Sequence, residues 1–414
     1  MLFLHQIFYV MQPIAITGSA SISAAGENAL TPRSGKHFLT FDEQLDAWVG
    51  KLPEVLKTQI EEIRDENRNY NALDASVLYA MYVSRAAAQQ AGWQKGAAFG
   101  INIGSSRGAT QLFEQYYDAF SKTGKAETLA SPTTTLGNIS SWVAQDLQND
   151  GPDISHSITC STALHALLNG VAWLQAGMCD KFLVGGSEAA LTLFTIAQMK
   201  ALKTYSRAGE NTDFPCLAFD LKKNENTMVL GEGAASICLE KGKHENALAY
   251  IIGVGYATEP LKHAVSVSAE ATCFQKSMRM AVESAFGSED EISAFAEMQK
   301  NSQIPTFSEM TKNVDAVVMH APGTILGDTS EYKAIKKIFG KNLPLLTTNK
   351  WKIGHTFGAS GLLSLDTAIQ MLQTQEWEET PFFSPQAKPK ELKNILVNAV
   401  GFGGNAVSIL VSRA

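Results

Sequence analysis

The sequence lacks the features that would take it out of ordinary globular chemistry. No apolar run approaches the ~20 residues that span a bilayer. Charge runs are short, and the mixed-sign stretch 61–68 reads as a solvated helix face. Only 18% of the 414 residues are charged, and the net charge of -7 gives no global attraction to nucleic acid. Cysteine is sparse: Cys160, Cys179, Cys216, Cys238 and Cys273 form an odd set with no C-x-x-C pair. That argues against a disulfide framework and against a zinc site, and fits a reducing, cytoplasmic setting. No low-complexity stretch or proline-rich linker marks a boundary. The opening MLFLHQIFYVMQP is apolar but has no basic region and no small-residue cleavage site, so it does not read as a signal peptide. Residues 1–10 read instead as an extension ahead of a natural start at Met11. N-terminal sequencing of natural protein checks this, and a start at Met1 refutes it.

What is present is a mixed α/β pattern. Strand-like runs at 14–17, 98–103, 181–184, 234–239, 249–254, 314–319 and 395–399 alternate with helical stretches at 75–91, 162–176 and 362–373. The least patterned stretch, 287–313, reads as an insertion or long loop. A faint internal symmetry runs through the chain. GEGAASICLE (231–240) resembles GFGGNAVSILVS (401–412), and PIAITGSA (13–20) resembles AYIIGVGYA (249–257). The pattern suggests a duplicated α/β unit, with halves at 11–246 and 247–414.

Four places can carry chemistry. Cys160 lies between a strand-like piece, 154–158, and a helix apolar on all sides, hence buried. At that helix's N-terminus, dipole and free amides favour thiolate, and a backbone N–H there can hold an oxyanion. The bland alternative is one more small buried residue. His320 ends an apolar strand and precedes a loop with Pro322, Gly323 and Gly327, after which a helix starts near Thr329 or Ser330. A histidine so placed can equally cap the strand. His355 stands among Gly354, Gly358 and Gly361, just after Lys350 and Lys352. GFGGNA (401–406) has neither the Lys-Ser/Thr of a P-loop nor Rossmann spacing, so it reads as a turn that aims the Phe402 ring and amide.

In this order, the segments resemble the elongating β-ketoacyl-acyl carrier protein synthases of the thiolase superfamily, from residue 14 to residue 412. The likeness includes the Cys160 elbow, VGGSEA (184–189), FDLKKNENTMVLGEGAA (219–235), the His320 loop, the 350–355 segment and GFGG. It implies an α/β, thiolase-like fold of two pseudo-repeated halves in five layers, αβαβα. It implies a homodimer, with a heterodimer as an alternative, and the site between the halves. The activity implied is a decarboxylative condensation of malonyl-acyl carrier protein with an acyl group held on Cys160. The resemblance assigns the oxyanion hole to the amides of Cys160 and Phe402, and the gate to Phe402. It makes His320 and His355 the donors to the enolate, and gives Lys350 a role in setting charge around His320. Asp328 and Glu331 match the supporting acidic residues, and Thr324 matches a pantetheine contact. The partner implied is an acyl carrier protein, with no metal and no organic cofactor.

Three departures stand out. Pro322 replaces a threonine that would contact the pantetheine arm, Ser364 stands where a glutamate is usual, and Asn405-Ala406 replace Thr-Asn. They suggest a specialised, polyketide-like or aryl-lipid pathway. They also leave open a non-catalytic partner subunit of the chain-length-factor kind, although such relatives lose the cysteine. A degradative thiolase would need a second cysteine near the C-terminus, and the last here is Cys273.

Overall fold

The computed structural model describes residues 11–28, 35–136, 138–260, 267–287, 305–383 and 387–414. Residues 1–10, the suggested extension, lie outside them. Eleven strands form one sheet. They are β1 (Ile14–Ser23), β2 (Gly26–Glu27), β3 (Gly100–Gly104), β4 (Asp153–Ile154), β5 (Lys181–Glu188), β6 (Gly233–Lys241), β7 (Ala249–Thr258), β8 (Ala316–Val318), β9 (Leu345–Thr347), β10 (Asn394–Val400) and β11 (Asn405–Arg413). The order is β9-β8-β10-β11-β7-β1-β6-β5-β3-β4, with β2 turned back on β1.

Pairing senses repeat outward from the centre. On one side β1–β6 and β6–β5 are antiparallel, and β5–β3 and β3–β4 are parallel. On the other side β7–β11 and β11–β10 are antiparallel, and β10–β8 and β8–β9 are parallel. Both inner strands shift register at the same place, before Gly18 in β1 and before Gly253 in β7. A Cβ on Gly18 would collide with the Ala87 carbonyl, and one on Gly253 with the Ala281 carbonyl. Glycine there lets an outer helix lie directly on the bulge.

Side-chain alternation builds the layers. Phe182 and Val184, Ile395 and Val397, and Ile409 and Val411 face a central cluster made with helices α3 (Thr162–Gln175) and α6 (Ser360–Thr374). The intervening Leu183 faces a cluster with α1 (Ala75–Gln90) and α2 (Asn138–Leu147). Leu396 and Leu410 face one with α4 (Thr272–Phe286) and α5 (Ile325–Phe339). From one face to the other the layers are helix, sheet, helix, sheet, helix. Asp74 starts α1 by accepting from the Ser76 amide at 2.8 Å, a helix cap worth ~1 kcal/mol.

Three local expectations are corrected. Regular pairing before Cys160 stops at Ile154. The helix after His320 starts at Ile325, because Thr324 caps it by accepting from the Gly327 amide at 3.2 Å. Of the stretch 287–313, residues 288–304 lie outside the described residues. The rest contains a short helix, Phe307–Met310, fixed by a capping box between Thr306 and Glu309.

Candidate active site

Cys160 is buried, two residues before α3. Thr159, before it, has φ +47°, a left-handed value uncommon for a β-branched residue. Thr162 holds that bend: its hydroxyl donates to the Thr159 carbonyl at 2.6 Å and accepts from the Ile158 amide at 2.9 Å. The elbow therefore forms as expected, but the thiol does not behave as expected. Burial pushes Cys160 up to about 12, and Glu188 acts in the same direction. Arg107, the cysteine's own amide and Lys350 pull the other way without prevailing. In this cavity desolvation outweighs the helix terminus.

His320 follows β8. Its loop is held by two buried carboxylates through backbone amides. Glu331 accepts from the amides of His320 at 3.0 Å and Ala321 at 2.8 Å, and from Asn398 Nδ2 at 3.1 Å. Asp328 accepts from the amides of Gly323 at 3.0 Å and Phe219 at 2.7 Å, and from Lys223 Nζ at 2.6 Å. Burial raises both acids, Glu331 to about 7. The imidazole is not part of these bonds: His320 Nδ1 is buried without a partner.

His355 is pinned by its backbone, donating to the Val229 carbonyl at 2.7 Å and accepting from the Gly231 amide at 3.1 Å. Its Nδ1 accepts from the Phe357 amide at 3.0 Å. That bond places the ring hydrogen of the neutral imidazole on Nε2, leaving a donor for a ligand. The two imidazoles stand edge to face, centroids 5.2 Å apart. Burial lowers His355 to about 3, helped by the Lys350 charge. Burial, His355 and Lys350 hold His320 well below the usual histidine range. Both rings are neutral near pH 7.

Lys350 is 1% exposed. Its ammonium donates to Ser364 Oγ at 2.6 Å and Asn349 Oδ1 at 3.1 Å, both neutral acceptors. Burial lowers it to about 8, with Glu331 acting against the shift. Ser364, the departure noted in the sequence, is thus the direct partner of Lys350.

A cavity of about 240 Å³ brings Cys160, His320, His355 and Phe402 together, with Pro322 and Thr324 also in its wall. Met199, Met228 and Phe274 supply apolar surface. The arrangement offers a nucleophile, a neutral imidazole donor and a second neutral imidazole in a largely apolar space. Such a space strengthens every hydrogen bond to developing negative charge. The Phe402 amide, however, donates to Thr159 Oγ1 at 3.0 Å. Among the described residues, no group of three or more His, Cys, Asp or Glu is arranged to hold a metal ion.

Sequence reasoning missed several residues here. Glu188, the acid of VGGSEA, is fully buried and accepts from the amides of Gly358 at 3.0 Å and Arg107 at 3.3 Å, and from that of Ser106. It ties the loop at Ser106 and Arg107 to the turn at Phe357 and Gly358. Its signal was a carboxylate at the end of an apolar strand. Lys223, whose side chain is 2% exposed, pairs with Asp328; its signal was one lysine in FDLKKN. Asn398 and Thr159 had no local signal.

Comparison with known proteins agrees with this geometry. Residues 36–245 match the family model for the beta-ketoacyl synthase N-terminal domain, and residues 305–383 match that for the C-terminal domain. The chain is 26% identical over 420 residues to 3-oxoacyl-[acyl-carrier-protein] synthase 2 of Coxiella burnetii, covering 94% of this chain and 92% of that one. A beta-ketoacyl synthase from Burkholderia phymatum superposes with a TM-score of 0.79 at 19% identity, covering 98% of this chain and 100% of that one. So does a chain of the AntDE:AntF assembly, a type II PKS acyl-carrier protein in complex with its ketosynthase bound to the hexaketide. Its TM-score is 0.77 at 18% identity, again covering 98% of this chain and 100% of that one. These structural likenesses speak for the thiolase-like fold.

Proposed function

This chain belongs to the β-ketoacyl synthase family, and we propose that Cys160, His320 and His355 carry out its condensation. It is an acyl-transferring, carbon–carbon bond-forming enzyme of the 3-oxoacyl-[acyl carrier protein] synthase kind. The observation that carries the assignment of residues is the convergence of these three side chains on one largely apolar cavity.

In the first step Cys160 Sγ attacks the thioester carbon of an acyl carrier protein. The Sγ–carbon bond forms, the bond to the pantetheine sulfur breaks, and the cysteine proton goes to the departing sulfur, so no proton is gained or lost. The Cys160 amide and a freed Phe402 amide stabilise the intervening oxyanion. Malonyl carrier protein then enters. Its carbon–carboxylate bond breaks, carbon dioxide leaves, and the electron pair passes into an enolate whose oxygen accepts from His355 Nε2 and from the neutral ring of His320. The enolate carbon attacks the acyl carbonyl, the bond to Sγ breaks, and the released thiolate takes up a proton. A thiol that titrates near 12 regains that proton readily at neutral pH. These steps balance without a metal or organic cofactor.

Asp328 and Glu331 shape the His320 loop through its backbone, and burial keeps both rings neutral with the Lys350 charge assisting. Thr324 sits in the wall where a pantetheine arm would pass. The partner is an acyl carrier protein. We infer a second copy as well, against the helix Thr110–Thr123. No residue of that helix is buried, and Phe113, Tyr117 and Phe120 lie on it at i, i+4 and i+7, all exposed. The odd, scattered cysteines support a reducing, cytoplasmic setting; no helix among the described residues is long and apolar enough to cross a membrane. The three sequence departures support a specialised pathway over housekeeping fatty acid synthesis, and activity on saturated acyl carrier proteins equal to a housekeeping enzyme would count against it.

The test is intact-mass analysis after incubation with a panel of acyl carrier protein thioesters. A single acyl adduct that Cys160→Ala abolishes is expected. No adduct with any donor, together with stable association with another synthase, would instead favour the partner-subunit reading.

A further inference from the structure

We propose that Thr159 is a positioning residue for acyl transfer: its hydroxyl occupies the Phe402 amide until the oxyanion of acyl transfer takes that amide over. The proposal rests on the reading of Cys160 as the acylated nucleophile.

Four observations place the hydroxyl where it can do this. The Phe402 amide donates to Thr159 Oγ1 at 3.0 Å, across 243 residues of chain. Thr159 is held at φ +47° by the two-point grip of Thr162 on its carbonyl, from the amide at 3.2 Å and the hydroxyl at 2.6 Å, so its side chain is aimed by the backbone. A Cβ at Gly401 would collide with Thr159 Oγ1, so the approach depends on glycine next to the donating amide. A second link runs alongside: Ser161 Oγ donates to Asn405 Oδ1 at 3.0 Å, and the Gly401 amide donates to the Asn405 carbonyl at 3.1 Å. The residues flanking Cys160 on both sides therefore clasp the turn that carries Phe402.

The consequence follows from the strengths of the bonds being exchanged. Hydroxyl and thioester carbonyl are both neutral acceptors, so a resting carbonyl gains little by displacing Thr159. An oxyanion is a charged acceptor and bonds the same amide roughly twice as strongly. Thr159 thus holds the amide against the resting carbonyl and yields it to the oxyanion, so acylation proceeds only after the Thr159 bond is given up, and removing that bond should speed it. It also satisfies a donor that would otherwise stand bare in an apolar cavity.

The experiment compares wild type with Thr159→Val, which keeps the shape and loses the hydroxyl, and with Thr159→Ser, which keeps the hydroxyl. Hydrogen–deuterium exchange at the Phe402 amide and kcat/KM for Cys160 acylation by an acyl carrier protein thioester are both measured. Thr159→Val is expected to speed exchange at Phe402 and raise kcat/KM about fivefold, the worth of one neutral hydrogen bond. Thr159→Ser is expected to restore the wild-type values of both. Unchanged exchange in Thr159→Val, or acylation equal to or slower than wild type, would overturn the proposal. If wild type and both variants form no acyl adduct, the condensation reading fails, and exchange at Phe402 alone decides whether Thr159 holds the amide.

Discussion

Two buried polar clusters meet at the histidines, and they handle charge in opposite ways. Behind the His320 loop, Asp328 faces the Lys223 ammonium at 2.6 Å with both side chains almost wholly enclosed, and every other contact of its carboxylate is a backbone amide. His320 and His355, which line the cavity, and Lys350 have no such partner. Lys350 meets only the neutral acceptors Ser364 and Asn349, and all three are pushed toward their neutral forms. The first cluster fixes a loop with a paired charge and backbone amides, although burial pushes its carboxylates up as well. The second collects groups whose charge is costly, and so can change with pH. A site that must receive an anionic enolate gains from neutral donors that are not already bound to a carboxylate.

The comparison can be broken first where charge is paired. Asp328→Ala leaves the Lys223 ammonium buried without a counter-charge, held only by the Asp220 carbonyl at 2.9 Å, and two amides bare, and should cost about 3–5 kcal/mol in urea unfolding. A loss under ~1 kcal/mol would mean the pair is wetter than described. Lys350→Met should have the reverse sign. Lys350 titrates near 8 when folded, against 10.5 for its ordinary value, so the unfolded chain holds more protons between those values. Wild-type stability should therefore rise with pH from about 8 to 10.5. The methionine variant should be more stable by ~3 kcal/mol below that window, with the gain fading through it.

On the acid side, His355 titrates near 3 against 6.5. The unfolded chain again binds the extra proton, so stability should fall as pH drops below 6.5, by roughly 2 kcal/mol at pH 5 for this one ring. Urea midpoints of His355→Gln across that range should fall less steeply than those of wild type. Parallel curves would place the charge elsewhere. The smallest effect sharpens the contrast itself. Ser364→Glu gives Lys350 the carboxylate it lacks and should raise its titration by about one unit. Because the Lys350 charge assists the Cys160 thiolate, iodoacetamide alkylation of Cys160 should show an inflection near pH 8 in wild type, and that inflection should move upward in the variant. An unmoved profile would show that the two groups are not coupled.

The helices with the plainest sequence pattern were placed to within two residues: 75–91 is α1, 162–176 is α3 and 362–373 is α6. Each is apolar over most of its circumference, so burial and periodicity agree. The helix after His320 was misplaced because Gly327 looked like loop, whereas it sits in the first turn and donates to its cap, Thr324. Convergence of Cys160, His320 and His355 could be expected only through the resemblance, since no local pattern links residues so far apart. The thiol's direction of shift was misread for a related reason. The helix terminus is local to Cys160, but the walls that dry the cavity come from Met199, Phe274 and Phe402. The Thr159–Phe402 bond joins residues 243 apart, beyond any spacing rule.

The middle layer has a consequence for how the molecule comes apart. The cluster around α3 and α6 takes Phe182 and Val184 from one flank of the sheet and Ile395, Val397, Ile409 and Val411 from the other. Neither flank can keep that surface dry by itself. A chain cut near residue 247 should yield two fragments, each exposing an oily face, and neither should melt cooperatively alone. Mixed, they have every reason to find each other, so cleavage there would turn a folding problem into an association problem, with recovery of the structure depending on fragment concentration.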